Sequence, residues 1–204
     1  YTRASLGAEF VSVRRHKIGS PTGSGALLVK KGVRLSPYPT GGGQENGMRS
    51  GTEPTAQIAG FAAACQATMA QTDRLQRTAA IKAYTLQKLQ EALPQLEVIT
   101  QGDAPHICAV TLPGYKSEVV VRVLGDAGIC ISSGSACHKG KPSHVFAALG
   151  LPKPWLDGAL RLSFSPASTQ EEADRLVAAL LPLLPIYVAD DTPLLDPAVR
   201  TPVR

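Results

Sequence analysis

Apolar positions in the first quarter of the chain predict two strands and then a long irregular segment. Residues 8–13 and 26–29 are short apolar runs, and the turn-forming sequence H-K-I-G-S-P-T-G-S-G lies between them. Residues 36–54 are rich in glycine and show no periodicity. The pattern therefore predicts a pair of strands followed by a loop.

The next part of the chain has a helical period. Residues 55–69 and 73–93 predict two helices, with Asp73 as an N-cap and Pro94 ending the second helix. The second helix carries an apolar stripe that predicts a core face. The stripe consists of Leu75, Ala79, Leu86, Leu89 and Leu93.

After Pro94, strand and helix patterns alternate. Ser117 and Thr169 are predicted N-caps, and Glu172 completes a capping box with Thr169. The predicted strands are residues 96–100, 107–112 and 158–164, and the predicted helices are residues 117–127, 143–149 and 169–181. This order is typical of an α/β or α+β fold.

The charge of the chain fits an anionic small molecule. Its 204 residues have a net charge of +5, and Lys and Arg occur in scattered pairs without long runs. A nucleic-acid surface is poorly supported by this distribution, and we expect no direct nucleic-acid partner. No signal peptide and no apolar stretch of transmembrane length occur, so we expect a cytoplasmic protein without a membrane partner.

The four cysteines argue against a metal site, because no pair has C-x-x-C spacing. Cys65 and Cys108 lie in apolar runs and are predicted core residues. Cys130 follows the same pattern and is expected to point inward. Cys137 differs: it follows S-S-G-S-A and precedes H-K-G-K. Small residues favour a mobile exposed loop, and adjacent cations favour the reactive thiolate. A surface loop without a function is the alternative.

Three other segments carry candidate chemistry. Lys17, preceded by His16 at a strand end, is a candidate amine nucleophile, although a lone lysine is more often a solvated surface charge. Residues 41–52 form a glycine-rich loop ending in Thr52 that could contact a phosphate, or simply a flexible surface loop. Arg161 is predicted on the strand face opposite Leu160 and could bind a carboxylate.

An amine, a phosphate cradle, a carboxylate clamp and a thiol together suit pyridoxal 5′-phosphate (PLP) chemistry on an amino acid.

The chain resembles the C-terminal half of a cysteine desulfurase, in the class-V aminotransferase-like group of PLP enzymes. The matching stretches, in family order, are F-V-S-V-R-R-H-K-I-G-S-P-T-G-S-G-A-L-L-V, G-G-G-Q-E-N-G-M-R-S-G-T, I-S-S-G-S-A-C and S-H-V-F-A-A-L-G…G-A-L-R-L-S-F. The S-G-S-A-C form resembles the branch with a long mobile cysteine loop. That branch is associated with iron–sulfur clusters and tRNA thiolation.

The resemblance implies a role for each candidate residue. Lys17 matches the Schiff-base lysine, and His16 matches the histidine near the cofactor phosphate. Thr52 matches the residue that reaches the phosphate bound by the other subunit of a homodimer. Cys137 matches the cysteine that becomes a persulfide and could serve as a transient iron–sulfur ligand, and Arg161 matches the anchor of the substrate α-carboxylate. The implied reaction converts L-cysteine to L-alanine and passes sulfur from Cys137 to an acceptor or scaffold protein.

The chain departs from the family pattern next to Lys17. Arg14 and Arg15 stand where a phosphate-binding serine and a small residue are usual, and Thr22 stands where a lysine is common. An arginine can still bind phosphate by charge, so both arginines are candidate cofactor ligands.

The resemblance also predicts the domain organisation. Residues 1–54 are expected to end a PLP-binding large domain, 55–93 to form connecting helices, 94–188 to form a small C-terminal α/β (α+β) domain, and 189–204 to form a tail. Because the upstream half of the family fold does not precede Tyr1, we expect a fragment that alone binds PLP weakly. The alternatives are a PLP-deficient docking or sulfur-carrier domain, and a selenocysteine lyase.

Overall fold

The computed structural model describes residues 4–100, 102–134 and 143–183. The chain divides into two compact units, Tyr1–Thr72 and Asp73–Arg204. The units together give a mixed α/β fold, as the sequence pattern predicts. None of the helices within the described ranges is long and apolar enough to cross a membrane.

The first unit begins with an antiparallel strand pair. Strand β1 (Phe10–Arg14) pairs with β2 (Gly25–Val29), so that Arg14 lies opposite Gly25. A single 3-10 turn, Arg15–Ile18, follows β1 directly and ends at Gly19, whose φ of 84° lies in the left-handed region. Glycine adopts this conformation without steric cost. The turn therefore reverses the chain just after the strand that carries Arg14.

The remainder of the first unit is the glycine-rich segment and helix α1. The segment contains a 3-10 turn at Gln44–Gly47, and α1 spans Thr55–Ala70. Helix α1 passes close to the segment between β1 and β2 at Gly60, where a Cβ would make an ordinary van der Waals contact with Pro21 Cδ at 3.4 Å. None of the residues of α1 is buried.

The second unit is built on a three-stranded antiparallel sheet of β3 (Glu97–Thr100), β4 (Ile107–Thr111) and β5 (Ala159–Ser163), in the order β3-β4-β5. Residue Val98 of β3 lies opposite Val110 of β4, and Ala109 of β4 lies opposite Arg161 of β5. The helices are α2 (Arg74–Ala92), α3 (Ser117–Asp126), α4 (His144–Ala148), α5 (Lys153–Asp157) and α6 (Gln170–Leu180).

The core of the second unit lies between the sheet and helices α2, α3 and α6. Its centre is apolar and closed to water: Leu89, Leu93, Leu124, Val110 and Leu160 are each at most 1% exposed. The apolar stripe predicted for residues 73–93 supplies part of this core, because Leu86, Leu89 and Leu93 are buried. Leu75 is not part of it and is 57% exposed.

Most predicted helices and strands are confirmed, with ends that differ by a residue or two. Two of the predicted helix caps and one helix differ from the prediction. The capping box of Thr169 and Glu172 is present in full. Asp73 precedes α2, but its side chain makes no capping hydrogen bond and pairs with Arg77 at 3.1 Å instead. Ser117 is the first residue of α3, not its cap. Helix α5 was not predicted.

The cysteines were only partly predicted. Cys108 is buried in the core, as expected, and Cys65 is half-buried. Cys130 is exposed, so the expectation that it points inward was wrong. Residues 129–131 form no regular strand, and the apolar neighbours of Cys130 therefore do not determine which way its side chain faces.

Candidate functional site

Lys17 and His16 lie on the 3-10 turn that follows β1, and both are exposed. The backbone N–H of Gly19 closes this turn on the carbonyl of Arg15. A short turn fixed at both ends limits the motion of its backbone while leaving the side chains free. The local fold thus presents the Lys17 amine on the surface of the first unit.

Arg15 and Arg14 are adjacent but differ completely in environment. Arg15 is fully buried, and its guanidinium donates from Nη1 to the carbonyl of Gln57 in α1 and from Nη2 to the carbonyl of Thr22. Arg14 is exposed at the end of β1. Arg15 therefore joins the turn after β1 to helix α1, whereas the charge of Arg14 is available to a ligand.

Three buried polar atoms near this turn lack a hydrogen-bond partner within the described residues. They are the Nε of Arg15 and the hydroxyls of Ser20 and Ser24. Buried polar groups are nearly always hydrogen-bonded, so unpaired ones call for an explanation such as a bound anion or water. Their presence is consistent with polar ligand chemistry in this part of the first unit.

The glycine-rich loop is closed by its own side chains. The Ser50 hydroxyl is within hydrogen-bonding distance of the carbonyls of Pro39 (2.9 Å) and Thr40 (3.0 Å), and the Gly51 N–H donates to Gln44 Oε1 at 3.2 Å. Gly51 has a φ of 110°, which few other residues adopt. Thr52 follows directly and is exposed. The loop is thus an ordered turn that presents Thr52 to solvent.

Arg161 lies on the face of β5 opposite the core, as predicted. Its neighbours Leu160 and Leu162 are 1% and 4% exposed, whereas Arg161 is half-buried. Its Nη2 donates to the Ser132 hydroxyl at 3.0 Å, and its Nε is buried without an acceptor among the described residues. The buried Nε of this cationic side chain favours the binding of an anion, because an anion would replace the hydrogen bond to water that burial removed.

Cys137 lies outside the described residues, but Gly134 and Ser143 on either side of that segment are described. Gly134 is buried and has a φ of 146°. A Cβ at Gly134 would lie only 2.9 Å from the Cβ of Ser143, itself 5% exposed. Gly134 and Ser143, which flank the segment containing Cys137, therefore lie in close contact. The sequence offered one signal for this contact, the glycine at position 134.

Cys108, another cysteine of the second unit, has an unreactive thiol. Burial raises the pKa of the Cys108 thiol to about 11, and the charge of Lys82 offsets only part of that rise. Since the thiolate is the nucleophile, Cys108 stays unreactive at neutral pH. Lys82 is 8% exposed and donates to the carbonyls of Gly102 (3.3 Å) and Ala104 (3.0 Å).

The donor set of the first unit fits PLP. An exposed primary amine can hold the aldehyde, and an exposed guanidinium and hydroxyl can contact a phosphate. The chain supplies these groups as Lys17, Arg14 and Thr52, with His16 beside the amine. Arg15 does not add to this set through its terminal nitrogens, since both donate to backbone carbonyls.

Comparison with known proteins identifies the family. The model of the aminotransferase class-V family matches residues 3–176, most of the chain. The protein therefore belongs to the class-V aminotransferase family. A cysteine desulfurase of Nostoc sp. is 34% identical over 178 residues, which cover 84% of this chain and 44% of that protein. The chain thus spans less than half the length of this curated relative.

Solved structures show the same fold. The NifS-like protein from Rickettsia africae ESF-5 superposes with a TM-score of 0.79 at 24% identity, over 90% of this chain and 49% of that chain. The structure of SspA in complex with cysteine gives a TM-score of 0.56 at 28% identity, over 82% of this chain and 47% of that chain.

Proposed function

We propose that the intact protein is a PLP-dependent cysteine desulfurase that converts L-cysteine to L-alanine and retains the sulfur as a persulfide on Cys137. The observation that carries the proposal is the contact between Arg161 and Ser132, five residues before Cys137. An aminotransferase needs a carboxylate clamp but no thiol beside it. A desulfurase needs both, and the two belong to one unit here.

Each residue has a definite task in this proposal. Lys17 holds the cofactor through its amine, Arg14 and His16 lie on the phosphate side, and Thr52 contacts the phosphate bound by the other subunit of a homodimer. Of the two arginines, Arg14 is the better phosphate ligand because Arg15 is buried and bonded to carbonyls. PLP, when bound, supplies an aldehyde and an electron sink.

The proposed conversion of L-cysteine to L-alanine and a persulfide needs no further reactant. Arg161 binds the substrate carboxylate, and the Lys17 amine takes the Cα proton. The Cys137 thiolate attacks the substrate sulfur, a new S–S bond forms, and the Cβ–S bond breaks. Its electron pair stays on Cβ, which takes up a proton, and the protonated Lys17 amine returns a proton to Cα to complete alanine. The persulfide sulfur then passes to an acceptor protein for iron–sulfur assembly or tRNA thiolation.

The test measures alanine, enzyme persulfide and cofactor binding in the intact protein supplied with PLP. We expect Lys17→Ala to lose both the visible absorbance of lysine-bound PLP and alanine formation. Cys137→Ser should keep the absorbance and lose the persulfide, whereas the matched variant Cys130→Ser should keep both. Full alanine production by Cys137→Ser would contradict the proposal. Absence of PLP binding under all conditions would favour a docking domain.

A further inference from the structure

Ser132 and Arg161 are joined by three hydrogen bonds. The Arg161 N–H donates to the Ser132 carbonyl at 2.6 Å, and the Ser132 N–H donates to the Arg161 carbonyl at 3.3 Å. The third bond runs from Arg161 Nη2 to the Ser132 hydroxyl at 3.0 Å. The first two form an isolated antiparallel bridge beside β5. The backbone bridge fixes where the serine lies, and its side chain then reaches the guanidinium.

These bonds use only part of the hydrogen-bonding capacity of the Arg161 guanidinium. One terminal nitrogen is held by the serine, while the buried Nε has no acceptor among the residues that the structure describes. An arginine side chain has several rotatable bonds and loses freedom whenever a ligand fixes it. A hydroxyl that already holds one corner of the guanidinium reduces this loss in advance, since less ordering remains for the binding step.

We propose that Ser132 is a positioning residue that orients Arg161 for the α-carboxylate of an amino-acid ligand. The inference rests on the proposed function, in which Arg161 anchors the substrate, and adds the residue that sets its geometry. Ser132 also begins the segment that leads to Cys137. The residue that orients the carboxylate clamp is therefore in the same short segment as the thiol that must meet the substrate.

The chain offers matched controls for Ser132. Ser133 is the next residue, is also half-buried and makes no hydrogen bond to Arg161 within the described structure. Ser133→Ala also removes a serine hydroxyl from this segment, but it leaves the hydrogen bond between Arg161 and Ser132 in place. Ser132→Thr keeps a hydroxyl on the correct atom. A general effect of mutating this segment would appear in these two variants as well as in the test variant Ser132→Ala.

The binding test uses L-alanine, which carries the carboxylate but no sulfur to transfer. The arginine reagent phenylglyoxal is applied to the intact protein, and modification of Arg161 is quantified by mass spectrometry over a range of alanine concentrations. We expect L-alanine to protect Arg161, and ethylamine, which lacks the carboxylate, not to. Ser132→Ala should weaken the protection constant about three- to tenfold, from the freedom that the guanidinium regains. Ser132→Thr and Ser133→Ala should stay within about twofold of wild type.

Steady-state kinetics provide the second readout. Ser132→Ala should raise the KM for L-cysteine by a similar factor with kcat nearly unchanged, because the carboxylate is bound in the ground state and in the transition state alike. Equal protection in Ser132→Ala and wild type would overturn the inference, as would an equal loss in Ser133→Ala or no protection of wild-type Arg161. A protein that shows Ser132-dependent protection but forms no alanine from cysteine would overturn the proposed function alone.

Discussion

The two units of this chain differ in the side chains that they bury: among the described residues, only the second unit has buried apolar side chains. The second unit has a closed apolar core in which six large apolar side chains are at most 1% exposed. Within residues 4–72 of the first unit no apolar residue is buried, and the two buried residues are Arg15 and Ser20. Apolar side chains of its strand pair remain in water, among them Leu27 at 50% and Leu28 at 47% exposure.

The unit that has the buried apolar core is therefore not the unit that carries the candidate cofactor-binding residues. The described residues of the first unit contain no buried apolar core of their own, and a strand pair alone is marginal in water. The first unit nevertheless carries Lys17, Arg14 and Thr52, all exposed. The second unit supplies its own core and carries two residues proposed to contact the substrate, Arg161 and Cys137. The units should therefore respond very differently to mutation.

The largest effect is expected for truncation of the core of the second unit. Leu89 is 0% exposed, and Leu89→Ala should lower the free energy of unfolding by about 2–5 kcal/mol through lost burial and the cavity left behind. The matched variant Leu27→Ala in β2 should change it by about 0.5 kcal/mol or less. Urea unfolding measures both values, and similar losses would show that the units share one core.

A smaller effect, confined to the first unit, is expected for Arg15. Arg15→Ala removes two charged hydrogen bonds to backbone carbonyls and should destabilise the turn after β1 and the start of α1 by about 1.5–3 kcal/mol. Hydrogen exchange should speed up there and stay unchanged in β4 and β5. The neighbouring variant Arg14→Ala should leave exchange unaffected, and equal effects of the two would refute the distinction between them.

The features predicted from sequence are those that depend on nearby residues. Helix α2, β4 and β5 follow from the spacing of apolar positions, and the capping box of Thr169 is a four-residue pattern. The proposed roles of Lys17 and Arg161 rest on motifs and stay predictions. These signals are local, so one sequence is sufficient to read them.

Features that depend on distant partners were not predicted. Arg14 and Arg15 look equivalent in sequence, but Arg15 bonds a carbonyl 42 residues further along the chain. The contact between Ser132 and Arg161 joins residues 29 positions apart. Serine is common in loops, so nothing in the sequence distinguishes Ser132 from Ser133. Only the pairing of that segment with β5 reveals which one faces the arginine.

The capping box offers a moderate test within the second unit. Thr169→Ala removes the side-chain acceptor of the Glu172 N–H (3.3 Å) and should cost about 1 kcal/mol. Thr169→Ser keeps the acceptor and should retain most of that stability. The measurement is the urea midpoint at neutral pH. A loss in Thr169→Ser as large as in Thr169→Ala would show that the methyl group, not the cap, stabilises α6.

The smallest effect concerns an acidic residue at the surface of the second unit. Hydrogen bonds from Lys116 (2.7 Å) and Lys153 (3.0 Å) lower the pKa of Asp157 below its ordinary value. Because the folded pKa is the lower one, the stabilisation is complete above the ordinary aspartate pKa of about 3.9 and is lost as the pH falls through the folded value. Both lysines are largely exposed, so the contribution should stay below about 1 kcal/mol and shrink in high salt.

Urea midpoints of wild type and Asp157→Asn between about pH 6 and pH 3 measure this contribution. The gap between the two proteins should close on acidification, and exchange of first-unit amides should not register the substitution. Asp157 lies at the end of α5 and also pairs with Lys116 at the start of α3, so its loss should loosen these two places in the second unit. A gap that persists at acidic pH would mean that the asparagine acts through packing. An effect on the first unit would show that the units are coupled, so that mutational effects in one could not be interpreted independently of the other.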